Sequence, residues 1–292
     1  MGRIGPMGTI ARLTFIEAVR KKVFLLSLLL ALLFLGLYVL GMDFAAQEIQ
    51  RVRALHGRPP LLGQMIGRQL LAMGLHFASF LLAMLLLVTS VGAIMGELEN
   101  GLMHAVASKP LARSQIMLGK FVGFGAMTAI YGTVLFGAVL AVNGIYNQVS
   151  LEGLSLASLV GAWAVFLLQP LVLLAIVLLA GTWLKTVAAG VVAMTFYVLA
   201  GVGGFLEQVG GLLSKPLMVQ IGIAVSLVMP TDALYRKLMA MVTTSDVSPA
   251  STMSMGPLSM GAPPSDLMVL YAGGYVVAFL LLALWRFERM DL

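Results

Sequence analysis

The chain has 292 residues, 60% of them hydrophobic and 10% charged, with a mean hydropathy of +1.02. Soluble domains carry about 25% charged residues, so this composition excludes one and describes an all-α polytopic membrane protein. The net charge of +6 does not indicate nucleic acid, because the cations gather at the ends of apolar runs; the lack of cysteine excludes disulfides, thiolate metal sites and a cysteine nucleophile.

The first apolar run is as long as a full span and has no small-residue cleavage site after it, so it is expected to remain as the first helix. Ahead of it, residues 9–22 form a helix candidate with Ala11, Phe15, Ala18 and Val19 on one side. Two readings fit: an anchor holding Arg20, Lys21 and Lys22 among headgroups, or an interfacial helix beside a partner. Residues 23–42 are uninterrupted hydrocarbon, close to the roughly 20 residues that a span requires. Residues 43–69 hold Arg51, Arg53, Arg58 and Pro59-Pro60, and are expected to be an external loop with a short helix before His56. Span two covers 70–95 and includes His76, expected to bond a backbone carbonyl or a neighbour.

Segment 96–120, GELENGLMHAVASKPLARSQIMLGK, is a long polar interruption. Span three, 121–142, ends at the turn signal Asn143-Gly144, and Gly119, Gly123, Gly132 and Gly137 would let another helix approach closely. Span four, 156–184, contains Gln169-Pro170, which predicts a kink. Lys185-Thr186 is a tight turn before span five, 187–206. The apolar run 217–229 covers about 20 Å as a helix, short of the roughly 30 Å hydrocarbon core, and is expected to be re-entrant or interfacial. A short amphipathic helix, 232–242, carries Arg236 and Lys237; 243–265 is rich in Ser, Pro, Gly and Met; and 267–285 is the last span. The layout is one transmembrane domain, 1–292, with an external loop at 207–266.

Six spans place both termini on one side. That side holds 11 of the 18 Lys and Arg and 5 of the 12 carboxylates, the other 7 and 7, so the termini are expected in the cytoplasm. If 217–229 also spanned, the cation division would again be 11 to 7, so length, not charge, decides for six.

The sequence has no GxxxxGK[ST] loop, no HExxH and no GxSxG, so the chain is expected not to be an enzyme. No Asp, Glu, Lys or Arg lies inside an expected span, whereas ion-coupled transporters carry such groups near the midplane. If the chain transports, energy must come from outside the bilayer, and segment 96–120 is where a motor could push. Leu102, Met103 and Val106 can form a short apolar face before Lys109-Pro110 ends a helix. An ordinary loop whose Arg113 and Lys120 anchor span three also fits.

Glu97-x-Glu99-x-Gly101, Ser108-Lys109-Pro110-x-x-Arg113 and Leu118-Gly119-Lys120 resemble the permeases of type 2 ABC exporters, as does the opening Thr14-Phe15-x-Glu17-Ala18-x-Arg20-x-Lys22. These stretches cover about a tenth of the chain; elsewhere the resemblance rests on span layout. It implies a six-helix permease that dimerises with a second copy and pairs with a separate ATP-binding cassette subunit, which holds ATP and Mg. It also implies an N-terminal interfacial helix, a coupling helix at 97–110 and a re-entrant element between spans five and six. Glu97, Glu99, Gly101, Leu102, Val106, Lys109, Pro110, Arg113 and Lys120 would form the docking element or its braces, with Lys185-Thr186 a minor second contact.

Uncharged spans favour a hydrophobic or amphipathic substrate. A rival signal is methionine: Met253, Met255 and Met260 in the external loop are soft ligands suited to Cu(I), although methionine also fills gaps throughout the chain. Some members of the family serve maturation of copper enzymes such as nitrous-oxide reductase together with a periplasmic protein, so copper or sulfur delivery is a second reading. A non-transporting membrane scaffold or sensor is a third, distinguished by whether an ATP-binding subunit copurifies.

Overall fold

The computed structural model describes residues 5–56, 60–92, 96, 112–146, 155–242 and 264–290. Among them there is no strand, and the helices run α1 (Pro6–Arg20), α2 (Lys22–His56), α3 (Pro60–Ser90), α4 (Arg113–Tyr146), α5 (Leu156–Ala180), α6 (Thr186–Leu212), α7 (Pro216–Val228), α8 (Thr231–Val242) and α9 (Asp266–Glu288). Six are long and apolar enough to span: α2 over Lys22–Arg51, α3 over Ile66–Ser90, and α4, α5, α6 and α9.

The apolar runs mark these spans, but the helices outrun them. Residues 43–69, expected as a loop, are mostly helix, because α2 continues to His56 and α3 starts at Pro60. Polar residues leave the membrane without leaving the helix: Gln47 Nε2 donates to Asp43 at 2.8 Å and Arg51 pairs with Glu48 at 3.7 Å, both at helical spacing. Asn143, read as a turn, is fully buried inside α4 and donates to the Tyr38 hydroxyl and the Gly67 carbonyl. Span four ends at Ala180 rather than Leu184, and residues 181–184 turn into α6.

Helix α5 is central. Phe166, Val172, Leu173, Leu174 and Ala175 have no exposure, and the helix packs against α3, α4, α8 and α9. By contrast α2 presents Leu25, Leu29, Leu33 and Leu37 outward, as a lipid-facing helix does.

Helix α1 ends at Lys21, whose extended backbone breaks it from α2. It lies across α4, where a Cβ on Gly119 would come 2.7 Å from Ile10 and one on Gly123 would come 2.6 Å from the Ala11 carbonyl. The two backbones meet because these positions carry no side chain, as expected for both. Gly137, named with them, faces open space.

The short apolar run forms α7, which turns back on α6. Gly203 meets Val225, Glu207 meets Gly222 and Gly210 meets Met218, an antiparallel register. At residues 229–230 the chain bends by 100° into α8. Helix α8 returns to the level of the end of α6, where Arg236 pairs with Glu207, and to the start of α9, where Lys237 pairs with Asp266 at 2.7 Å. Both ends of the α7–α8 hairpin therefore lie on one face. A hairpin that returns to the face it left has the layout of the re-entrant element expected between spans five and six.

Candidate functional site

Both chain ends meet on one face. Lys21, at the break between α1 and α2, pairs with Glu17 at 3.2 Å and donates to the Thr89 carbonyl at the end of α3, 3.3 Å away. Helix α3 then stops at Gly92, where φ is +82°, a conformation suited to glycine and common just past a helix end. A Cβ there would come 3.0 Å from Thr186, and Thr186 also lies beside Gly96. The turn from α5 to α6 thus abuts the start of the 96–112 segment.

At the far end of that segment, Arg113 begins α4. Its guanidinium donates to the carbonyls of Glu288, at 3.3 Å, and Met290, so it clamps the end of the last span. Lys120, two turns further along α4, is 5% exposed and engaged with neighbours beneath α1. Arg289 stacks over the Trp285 ring, 4.2 Å from its centroid.

Of the sequence-predicted residues, Arg113 and Lys120 fall on this face; Glu97, Glu99, Gly101, Leu102, Val106, Lys109 and Pro110 lie outside the described residues. So do Met253, Met255 and Met260. Thr186 does reach the segment. The face as described is a set of braces: α1 on α4, Lys21 on α3, Arg113 on α9 and Thr186 on Gly92, all around the ends of one polar segment.

About 30 Å away along α6 is a second polar cluster, which sequence reasoning did not find. Arg236 donates from Nη1 and Nη2 to the two carboxylate oxygens of Glu207 at 2.8 and 2.7 Å, and from Nε to Asp232 at 3.2 Å. Paired donors of this kind fit a guanidinium fork and not an ammonium. Asp232 packs on Gly204, whose Cβ would overlap its carboxylate. Burial pushes Asp232 up to about 6, Arg236 opposes the rise and Glu207 adds to it. Nearby, Tyr271 and Tyr275 donate to the Leu227 and Val228 carbonyls at 2.6 and 2.9 Å, capping α7 where the hairpin bends. Tyr235 donates to the Ala72 carbonyl at 2.8 Å, and the His76 ring meets the Tyr235 ring edge-on, with centroids 4.9 Å apart. The spacing of Asp232 and Arg236 signalled a helical ion pair; nothing local signalled Glu207.

A family model described as ABC-2 family transporter protein matches residues 8–292. A protein named probable ABC transporter permease protein NosY, from Pseudomonas aeruginosa, is 30% identical over 167 residues, covering 56% of this chain and 54% of that one. A protein of the same name from Stutzerimonas stutzeri is 37% identical over 93 residues, 32% of each chain. The chain thus spans about half the length of the first relative and a third of the second.

Proposed function

This chain belongs to the ABC-2 family of transporter proteins, and from that premise we propose that it is the membrane subunit of an ATP-driven exporter working as a dimer of permeases with a separate ATP-binding subunit. ATP and Mg belong to that subunit; the present chain supplies the membrane path and the docking element. In this reading segment 97–110 is that element, with Glu97, Glu99 and Arg113 as its charged contacts or the braces that hold it, and Leu102 and Val106 as its apolar positions. The terminal face is cytoplasmic, as its excess of cations favours.

The observation that supports the reading is the pair of braces flanking this segment. Arg113 ties its exit to the end of the last span, and Thr186 packs beside its start. A push on the segment would thus be passed to α4, α6 and α9 as rigid bodies, the way packed helices transmit displacement. The apolar stretches 23–42, 70–95, 121–142, 156–184, 187–206 and 267–285 hold no Asp, Glu, Lys or Arg, which favours a hydrophobic or amphipathic substrate.

Glu99→Lys and Val106→Pro test the assignment. Each is expected to abolish stimulated ATPase activity of the copurified ATP-binding subunit while the chain remains in the membrane. Undiminished ATPase in both would refute it, and failure of any ATP-binding subunit to copurify would favour a scaffold or sensor. The second reading, delivery of copper or sulfur for an extracytoplasmic enzyme with a periplasmic partner, is favoured by the thioethers of Met253, Met255 and Met260. Copper(I) titration of the whole chain against a variant with these three changed to Leu distinguishes it: equal affinities remove it.

A further inference from the structure

We infer that an ordered water molecule is bound inside the bundle beside Pro170, where it replaces a helix hydrogen bond that proline cannot make. A buried cavity of about 10 Å³ lies between α3, α5, α6 and the tip of the hairpin, lined among others by Ser79, Phe166, Gln169, Pro170 and Thr231. One water needs roughly this much space, together with two to four polar partners.

The partners are in place. Pro170 lies inside α5 and has no N–H, so the Phe166 carbonyl, four residues earlier, lacks its usual donor. Gln169 Nε2 and Ser79 Oγ are buried atoms with no hydrogen-bond partner among the described residues. Gln169 is 93% buried and Thr231, the first residue of α8, is 94% buried, so neither reaches bulk solvent. An amide nitrogen left without an acceptor in so apolar a setting would be costly. A single water satisfies the set by accepting from Gln169 Nε2, donating to the Phe166 carbonyl and bonding Ser79 Oγ. It joins spans two and four at the place where the hairpin tip closes the cavity. The site is independent of what the chain transports.

Two measurements test this on the full-length chain in lipid nanodiscs. A cryo-EM map fine enough to show ordered solvent is expected to contain a peak within roughly 3 Å of both Gln169 Nε2 and Ser79 Oγ. A cavity without density, or a direct bond between the two side chains, overturns the inference. Gln169→Met, which keeps the bulk and removes the donor, is expected to lower the thermal midpoint by roughly 2–4 °C. A nitrogen with no partner would make its removal stabilising, so an unchanged or raised midpoint also overturns it. In a Ser79→Ala background the drop should shrink by about half, because both changes remove partners of one water; strict additivity would refute a shared ligand.

Discussion

Arg236 is where the outer cluster can be broken with one substitution. Arg236→Gln removes the cation shared by Glu207 and Asp232 and is expected to cost roughly 3 kcal/mol, the low end for a broken buried pair because Glu207 keeps a fifth of its side chain exposed. Arg236→Lys should recover only part, since an ammonium cannot engage both oxygens of Glu207 as the fork does. Thermal unfolding of the three proteins in nanodiscs checks the order, and a lysine variant as stable as the wild type contradicts it. Asp232 adds a pH dependence. Its carboxyl titrates near 6 in the fold against 3.8 for a free side chain, so between about pH 4 and 6 the folded chain holds the extra proton. Stability from this group is therefore greatest at the acid end of that window, falls as pH rises through it and is level above, a change of at most about 3 kcal/mol. The difference in unfolding midpoint between wild type and Asp232→Asn should follow that course from pH 4.5 to 7, and a flat difference would contradict it. The cluster was half legible. Asp232 and Arg236 sit four apart on a short amphipathic helix, but Glu207 is 29 residues from Arg236 and one position past the expected end of span five, where it reads as a loop carboxylate.

For whole elements, apolar length pointed to the six candidate spans found among the described residues, because a bilayer admits no shorter or more polar solution. It could not locate helix ends, since Asp43, Glu48 and Arg51 extend α2 into polar surroundings through pairs within the helix, and Asn143 is accommodated in α4 by partners on α2 and α3. The seating of α1 was partly legible in Gly119 and Gly123, whose spacing puts both on one side of α4. That seating can be tested at a single position. Gly123→Leu would force a side chain into the Ala11 carbonyl and Thr14, so α1 must lift from α4. Because the chain has no cysteine, Thr14→Cys supplies a clean reporter at a site that is 7% exposed. Maleimide labelling of Thr14→Cys is expected to quicken by about tenfold when Gly123→Leu is added, equivalent to roughly 1.4 kcal/mol in the opening of the contact. Equal rates would mean that the close approach does not hold the helix.

At the scale of the molecule, the two polar clusters divide the protein by face. Lys21, Arg113 and Thr186 tie the terminal face together, while Arg236, Lys237, Tyr271 and Tyr275 tie the hairpin to spans five and six on the other. Charge alone could not choose between six and seven spans, since the cations divide equally well in both. Geometry favours six, because Glu207 and Asp266 close opposite sides of the hairpin and both meet α8 within hydrogen-bonding distance. A hairpin that crossed would carry Lys237 to the terminal face, some 30 Å from the start of α9 as it is placed here. The consequence is a sidedness that chemistry can read. Ser265 and Glu288, exposed and at opposite ends of α9, each become a single cysteine in an otherwise cysteine-free chain. An impermeant maleimide applied to intact cells is expected to label Ser265→Cys, and to reach Glu288→Cys only after the membrane is opened. Labelling of Glu288→Cys in intact cells would place the terminal face outside and overturn the cytoplasmic assignment of the termini.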